Sequence, residues 1–391
     1  MNFVPSIEPM LPTDDKEQLA DLVFELVSSA SRLAGKIPDR VQDGVGDLVR
    51  SMNCYYSNLI EGHNTRPRDI ERALDENYSS NPERRILQKE ARAHIAVQRM
   101  IDTGNDINAD PTSGNYARWV HYEFCSQLPE DLLWVENPDT GERIKVIPGE
   151  YRDREVIVGR HVPPPAEDLE NYLERYNDAY DHKHLSKSLY PIAIAAAHHR
   201  LLWIHPFIDG NGRVARLISH AMLLRCGIGS SLWSVSRGLA RSVDKYKSAL
   251  TGADAARKSD LDGRGALSAS GLFEFVRYFL QTCIDQVQFM ESILQPQELL
   301  RRISLFANDE ISAGRLPNGT LPLLKEAYLA GELARGDAAK LTGYQERRGR
   351  QILAELIDKG LLVSQGPRAP VRLGFPIDVV ERWLPGLYPV E

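Results

Sequence analysis

The chain has 391 residues, of which 42% are apolar and 26% are charged, and its formal net charge is −7. This length supports a large core and more than one domain. The acidic balance excludes a protein coated in positive charge, although a local basic patch stays open. Four scattered cysteines without a CxxC pair favour a reducing, cytoplasmic compartment over a disulfide framework or zinc site. Without a leader-like N-terminus or a spanning apolar run, we expect a soluble protein with no membrane partner.

The first part of the chain is predicted to be helical. Apolar residues recur every three or four positions over residues 16–52 and again over 82–100, as one buried helical face requires. A short helix over 55–60 follows the first of these segments, and Gly62 can end it in the left-handed conformation. These segments predict a helical N-terminal region.

A β-hairpin is predicted where the helical rhythm stops. Apolar runs at 144–147 and 156–158 flank a Pro-Gly pair and a charged turn, a pattern typical of two short strands. Helical patterns then return, near residues 168–180, 189–204, 214–225 and 270–294. The main body is therefore predicted to be a helical bundle with one small hairpin.

The C-terminal part has a different pattern. Pro296 and the turn at Pro317 indicate a linker region. Three helical segments and two short strands come next, near 321–330, 336–342, 344–359, 361–363 and 371–373. This order is typical of a winged helix-turn-helix. The fold class is thus mainly α, with a C-terminal winged helix.

The strongest chemical signal lies between His205 and Arg216. Pro206 ends or bends the preceding helix, and Gly210 and Gly212 allow backbone angles that other residues avoid. Because this turn opens directly into a helix, several backbone N–H groups point to one place. With the helix dipole, they form an anion site suited to a polyphosphate.

Side chains around the turn add to that site. Arg213 and Arg216 stand three apart on the first helical turn and offer charge-assisted contacts to phosphate. Asp209 supplies the carboxylate that Mg²⁺ would need, and His205 is a natural general base near pH 7. A Gly-Asn-Gly turn or a lone histidine often has only a structural role. The joint pattern favours a nucleotide site.

This segment reads HPFIDGNGRVAR and resembles the Fic family signature, HPFx[D/E]GNGRxxR, at every fixed position. The resemblance extends over roughly residues 50–290 and implies a protein adenylyltransferase, which moves AMP from ATP onto a Ser, Thr or Tyr hydroxyl of a protein. It implies that His205 is the base, that Asp209 binds Mg²⁺ and that Asn211 supports the α-phosphate. The implied ATP-binding set is Glu61, His205, Ile208, Asp209, Gly210, Asn211, Gly212, Arg213, Arg216 and Tyr246.

A second motif lies upstream and reads SNLIEG from Ser57 to Gly62. It resembles the inhibitory [S/T]xxxE[G/N] helix found in part of the same family. In a helix, Ser57 and Glu61 share one face. By resemblance, Glu61 pairs with Arg216 and removes it from the γ-phosphate, so the protein restrains itself through a helix at about residues 53–62.

Two further assignments also come from the resemblance. Tyr246 lies where the family places an aromatic ring beside the adenine, although a core tyrosine explains this position equally well. Tyr151, Val156, Ile157 and Val158 belong to the predicted hairpin, which is similar to the flap that docks a target segment.

The predicted recognition helix and wing are basic, with Arg347, Arg348 and Arg350 in the helix and Arg368 and Arg372 in the wing. Such a distribution favours DNA contact. Three acidic residues in the same helix dilute the charge, and winged helices also dock proteins. A DNA partner and a protein partner both stay open.

These patterns predict an N-terminal helical region over residues 1–110, a Fic core over 111–295 and a winged-helix domain over 316–391. The expected activity is AMP transfer with ATP and Mg²⁺, restrained by Glu61. The alternatives are removal of AMP from a modified protein, transfer of another phosphate-linked group, and a DNA-binding regulator whose core senses ATP. The family's habits also suggest a homodimer.

Overall fold

The computed structural model describes residues 4–13, 15–37, 39–136 and 141–389, and these are mainly helical, as predicted. The helices are α1 (Lys16–Lys36), α2 (Asp39–Ile60), α3 (Pro67–Leu74), α4 (Pro82–Asp102), α5 (Gly114–Cys125), α6 (Leu169–Tyr180), α7 (Tyr190–Ile204), α8 (Asn211–Arg225), α9 (Val235–Arg241), α10 (Val243–Asp254), α11 (Ala269–Ile293), α12 (Pro296–Ser312), α13 (Thr320–Leu329), α14 (Ala338–Thr342), α15 (Glu346–Asp358) and α16 (Ile377–Trp383). The strands form two antiparallel pairs, β1 (Trp134–Glu136) with β2 (Arg143–Lys145) and β3 (Leu362–Ser364) with β4 (Val371–Leu373). Among the described helices, none combines the length and apolar character needed to cross a bilayer.

The chain divides into two compact units. One comprises Met1–Ala30 with Asn53–Val287, and the other comprises Ser31–Met52 with Gln288–Glu391. The first contains the whole of α3 to α10 and the β1–β2 hairpin, and the second contains α12 to α16 and the β3–β4 hairpin. The motif from His205 to Arg216 therefore lies entirely in the first unit.

The core of the first unit is built around α7 and α8, which pack against each other. Almost every residue of α7 is buried, including the run Ile192 to Ala197. A helix that is apolar on all sides is stable only when neighbours surround it. Helices α6, α8 and α10 pack against α7, and α4, α5 and α9 pack against α8. The loop between α7 and α8 is thus held by two fixed helix ends.

Helix α2 is longer than predicted, because residues 39–60 form one continuous helix rather than two. Its end follows the prediction: Gly62 has φ +87°, in the left-handed region. The N–H groups of Gly62 and His63 donate to the carbonyls of Leu59 and Asn58, at 3.1 and 2.9 Å. These bonds cap the last carbonyls of the helix and fix where Glu61 stands.

The first hairpin exists and its β2 overlaps the predicted strand at 144–147, but the predicted partner strand at 156–158 is wrong. The strand before Gly149 pairs with Trp134–Glu136, not with residues 156–158. Gly149 turns the chain at φ +77°, and Arg152 then holds it away from the strands through bonds to the carbonyls of His205 and Pro164. Of the predicted second strand, only Val158 makes a β-bridge, to His161.

The predicted linker after Pro296 is also wrong. Residues 296–312 form α12, and Pro296 occupies its first turn, where a missing N–H costs nothing. Beyond it, α13, α14, α15, β3 and β4 follow the predicted order of three helices and a hairpin. A further helix, α16, was not predicted; its Trp383 is fully buried and packs edge-on against Phe306 and Phe375.

Candidate active site

The loop between α7 and α8 has a fixed backbone. His205 ends α7 with φ +51°, a rare conformation for a residue with a side chain and one that often marks a functional site. The side-chain amide of Asn211 accepts from the N–H of Phe207 at 3.0 Å and donates to its carbonyl at 2.8 Å. Both polar atoms of Asn211 are therefore used to close the loop. This contact gives Asn211 a shaping role besides the phosphate contact implied by resemblance.

The N-terminus of α8 has the backbone geometry that the predicted anion site requires. Gly210 precedes the helix with φ +82°, and the first helical bond runs from the Val214 N–H to the Gly210 carbonyl at 3.0 Å. The N–H groups of Asn211, Gly212 and Arg213 come before the first residue that can bond within the helix, so they remain available to a ligand. They stand at the positive end of a 15-residue helix.

Arg216 lies against the end of α2. Its Nη2 is 2.5 Å from Oε1 of Glu61, and its Nε and Nη2 donate to the hydroxyl and carbonyl of Ser57 at 2.9 and 3.1 Å. The Arg216 side chain is only 2% exposed. Burial opposes ionisation of Glu61, but the charges of Arg216 and Arg213 outweigh it and lower the pKa of Glu61. The buried Arg216 side chain thus has three bonds, one to Glu61, whose side chain is 30% exposed, and two to Ser57.

Gly212 leaves room for the Glu61 carboxylate beside the predicted anion site. A Cβ placed on Gly212 would overlap Oε1 of Glu61 and lie 3.2 Å from Nη1 of Arg216. Glycine is therefore required here for Glu61 to occupy this position. The carboxylate stands directly beside the first turn of α8, where a phosphate would bind.

Arg213 has a partner that the sequence reasoning missed. Its Nη1 bonds to Glu90, a fully buried residue of α4, and its Nη2 lies 3.5 Å from Oδ2 of Asp209. Glu90 also accepts from Nδ1 of His63 at 2.8 Å, and this hydrogen bond raises the pKa of His63. One buried carboxylate thus contacts both Arg213 and His63, the residue that follows the predicted inhibitory segment.

A signal for Glu90 was present in the sequence. Glu90 stands four residues after Ile86 and three before Ala93, on the face of α4 that carries its apolar residues. A charged residue on an apolar helical face needs a buried partner. The pattern predicts that such a partner exists, and only the fold identifies it as Arg213.

His205 is placed and kept neutral by its surroundings. Its carbonyl accepts from Nε of Arg152, and the neighbouring Pro206 carbonyl accepts from the Arg152 N–H, both at 2.9 Å. Burial, followed by the charge of Arg152, lowers the pKa of His205 to about 4. The imidazole is therefore unprotonated at pH 7 and free to accept a proton. The sequence reasoning read Arg152 only as part of a charged turn.

His121 on α5 packs against the same loop. Its ring stacks on Phe207 with centroids 4.0 Å apart, and its Nδ1 accepts from the N–H of Gly149 at 2.9 Å. Nε2 must then carry the proton, and it donates to the carbonyl oxygen of Asp209, 3.3 Å from Nε2. Burial lowers the pKa of His121 to about 4, so it stays neutral. Helix α5 was not predicted, and His121 was missed with it.

Asp209 and Ile208 lie half-buried in the loop. The carboxylate of Asp209 is 49% exposed and stands next to the helix N-terminus. Its hard oxygen donors suit Mg²⁺, which commonly takes one or two protein carboxylates together with substrate phosphates.

Tyr246 is 2% exposed, and its hydroxyl hydrogen-bonds to Nε2 of His198 at 2.7 Å. Nδ1 of His198 bonds in turn to the hydroxyl of Ser219 at 2.8 Å. A ring this buried has no open face on which an adenine could stack. The structure favours the alternative of a core tyrosine.

The predicted flap residues differ in how firmly they are held: Tyr151 is hydrogen-bonded, whereas Ile157 and Val158 are exposed. The Tyr151 hydroxyl donates to the carbonyl of Gly114 at 2.9 Å, and Val156 is half-buried. Ile157 and Val158 are 75% and 41% exposed. Two apolar side chains at the edge of the loop are thus available to a partner.

Part of the chain is similar in sequence to known proteins. The family model described as Fic/DOC family matches residues 128–223. A protein adenylyltransferase Fic from Nematostella vectensis is 34% identical over 179 residues, covering 45% of this chain and 38% of that relative. One from Drosophila willistoni is 41% identical over 130 residues, covering 33% of this chain and 26% of the relative. The chain thus aligns with well under half the length of these relatives.

Solved structures show the same fold. A Fic family protein from Desulfovibrio desulfuricans superposes with a TM-score of 0.54 at 18% identity, covering 93% of this chain and 98% of that one. A Fic domain containing signaling protein from Bacteroides thetaiotaomicron gives a TM-score of 0.50 at 21% identity, covering 69% and 95%. Residues 128–223, which contain the complete motif at the junction of α7 and α8, thus match the Fic/DOC family model, and the chain shares the fold of these solved structures.

Proposed function

We propose that the protein transfers AMP from ATP to a hydroxyl side chain of a protein target, and that Glu61 restrains this activity. The observation that carries the proposal is the loop from His205 to Arg213. It sets a neutral histidine beside free helix amides and a buried arginine. Curated relatives named as protein adenylyltransferases support the same reading.

The chemistry needs one proton transfer and one displacement. His205 takes the proton of the acceptor hydroxyl as the hydroxyl oxygen forms a bond to the α-phosphorus of ATP. The bond from that phosphorus to the bridging oxygen breaks, and pyrophosphate leaves with the electron pair. The amides of Gly212 and Arg213 and the Arg213 guanidinium neutralise charge on the phosphates during this step.

Asp209 would hold Mg²⁺ when the nucleotide is present. Bound there, the ion would offset the negative charge of the phosphates and help to align them. The position of Asp209 is set by the protein itself, because His121 holds its carbonyl and Arg213 lies 3.5 Å from its carboxylate.

The restraint follows from the occupancy of Arg216. Glu61 and Ser57 already take Nε and Nη2 of Arg216 and hold the guanidinium against the end of α2, which keeps it from the γ-phosphate. The carboxylate adds like-charge repulsion beside the anion site. We therefore propose that the resting protein binds ATP poorly or in an unproductive orientation.

The exposed edge at Ile157 and Val158 is proposed as the docking place of the target segment. Its location supports this, since Arg152 ties the base of the flap directly to the His205 loop. A segment seated on this edge would bring its hydroxyl near His205.

Radiolabel transfer tests the proposal. The protein is incubated with ATP labelled at the α-phosphate and Mg²⁺, alone and with a cell extract as a source of targets. We expect weak labelling of the wild type, at least tenfold stronger labelling of Glu61→Gly, and loss of this gain in Glu61→Gly/His205→Ala. Glu83→Gln, which alters an exposed carboxylate of α4, should label like the wild type.

Intact-mass measurement of a labelled protein separates AMP from other phosphate-linked groups. If the double variant labels as strongly as Glu61→Gly, His205 is not the base. If Glu61→Gly instead strips AMP from a pre-modified protein and adds none, the direction of the reaction is reversed and the proposal fails.

A further inference from the structure

The C-terminal elements form a compact helix-turn-helix. Helix α14 ends at Gly343, which has φ +72°, and α15 begins three residues after it. The two helices pack closely, because a Cβ on Gly349 would lie 2.7 Å from Cα of Ala339. A short turn containing glycine between two closely packed helices is the defining geometry of this motif.

A small sheet completes the arrangement. Leu333, between α13 and α14, bridges to Val371 of β4, so a third chain segment joins the β3–β4 pair. Nε and Nη2 of Arg335 donate to the carbonyls of Ala369 and Gly366, at 3.0 and 3.3 Å. These bonds fix the loop of residues 365–370 between the two strands. This loop projects as a wing, and Arg368 in it is exposed.

Helix α15 presents a polar face opposite its buried one. Gly349, Ile352, Leu353 and Leu356 are its buried residues. Arg347, Gln351 and Ala354 are exposed on the opposite side. Arg347 makes no hydrogen bond or ion pair with any described residue. Arginine and glutamine are side chains that read base edges, and a small residue such as alanine allows close approach to a groove.

Arg348 and Arg350 flank this face. Arg348 donates to Oε1 of Gln351 at 2.9 Å, and Arg350 pairs with Glu346 at 2.8 Å. Both members of the latter pair are more than 70% exposed. Such a pair is weak, so its arginine can move to a phosphate at little cost.

The charge of this segment contrasts with that of the whole chain. Residues 338–373 carry seven basic and three acidic side chains, whereas the chain as a whole has a net charge of −7. A protein-docking surface would instead need an apolar centre. Over residues 338–373, the exposed large hydrophobic residues are Tyr344 and Val363, each 42% exposed.

We propose that α15 and the wing form a binding site for double-stranded DNA. Helix α15 enters the major groove with Arg347 and Gln351 at the base edges, while Arg348, Arg350 and Arg368 contact the backbone phosphates. This site is separate from the proposed AMP transfer and does not depend on it.

The probe is a pool of random-sequence DNA duplexes, selected over several rounds on the purified full chain. We expect one sequence class to be enriched. Fluorescence anisotropy on an enriched duplex should then show affinity about tenfold to a hundredfold weaker for Arg347→Ala. Arg368→Ala should weaken binding to all duplexes and reduce the slope of log affinity against log salt by about one. Arg301→Ala, which removes an exposed arginine of α12, should bind like the wild type.

Two results would overturn the proposal. One is a pool without enrichment and without salt-dependent binding, which would leave a protein as the partner of this face. The other is an enriched duplex that Arg347→Ala and Arg368→Ala bind as well as the wild type. Circular dichroism of each variant confirms that its fold is kept, so that weakened binding reports the lost contact.

Discussion

The arginines of α8 and those of α15 stand in opposite environments. Arg213 and Arg216 are 5% and 2% exposed, and each pairs with a carboxylate from a distant part of the chain. Arg347, Arg348 and Arg350 are exposed, and of these Arg350 alone has a carboxylate partner among the described residues, within its own helix. The difference has a physical cause. A buried guanidinium cannot remain unpaired, whereas an exposed one is satisfied by water.

This difference accounts for why we propose an internal inhibitor for the α8 site and none for the α15 site. At the α8 site, we propose that Glu61 takes the place of a phosphate on Arg216, so that ATP would have to compete with it. At the α15 site, the carboxylate partner is the exposed Glu346 of the same helix, which would compete only weakly with a ligand.

The largest expected effect is on stability. Glu90→Ala leaves the Arg213 charge buried without its carboxylate, and we expect the free energy of unfolding to fall by about 3–5 kcal/mol. The matched control is Glu346→Ala, which removes the exposed partner of Arg350 and should change stability by less than about 0.5 kcal/mol. Urea unfolding measures both. Equal losses in the two variants would break the contrast between the buried and exposed arginines.

The next effect concerns pH. Burial and Arg152 lower the pKa of His205 to about 4, so the base is lost only when the pH falls through that value. In the Glu61→Gly background, kcat/KM should stay nearly level from pH 8 to pH 5. A histidine with the ordinary pKa of about 6.5 would lose roughly thirtyfold over that range. An acid limb centred near pH 6.5 would show that His205 is not shifted.

The smallest effect belongs to His63. Glu90 raises the pKa of His63 in the folded protein, so its contribution to stability is full below its unfolded pKa. It is lost as pH rises through the folded value. We expect His63→Ala to lower Tm more at pH 5.5 than at pH 8.5. His184→Ala, which removes an exposed histidine, is the matched control for the loss of a histidine side chain and should change Tm little. A Tm loss for His63→Ala that is equal at both pH values would show that the contact between His63 and Glu90 does not stabilise the protein.

The local parts of the site could be predicted from the sequence. The loop at 205–213 and the helix end at Gly62 depend on neighbouring residues, so a short stretch of sequence is enough to predict them. Glu90, His121 and Arg152 reach the loop only through tertiary packing, from α4, from α5 and from the segment after Gly149. Their distance along the chain hides them from any motif.

The errors in the fold have equally specific causes. The apolar run at 156–158 looks like a strand, but the bonds of Arg152 hold the preceding segment away from the hairpin. Pro296 looks like a break in the helical pattern, but it occupies the first turn of α12, where proline is favoured. In each case the local pattern was real, and tertiary or positional context decided its meaning.

The most direct test of the Glu61 restraint is a pair of crystal structures with ATP and Mg²⁺, one of the wild type and one of Glu61→Gly. In Glu61→Gly, the γ-phosphate should lie within hydrogen-bonding distance of Arg216, with the α-phosphate facing His205. In the wild type, Glu61 should keep Arg216, and the nucleotide should be absent or displaced. A wild-type complex in which Arg216 binds the γ-phosphate while Glu61 stays in place would contradict the restraint.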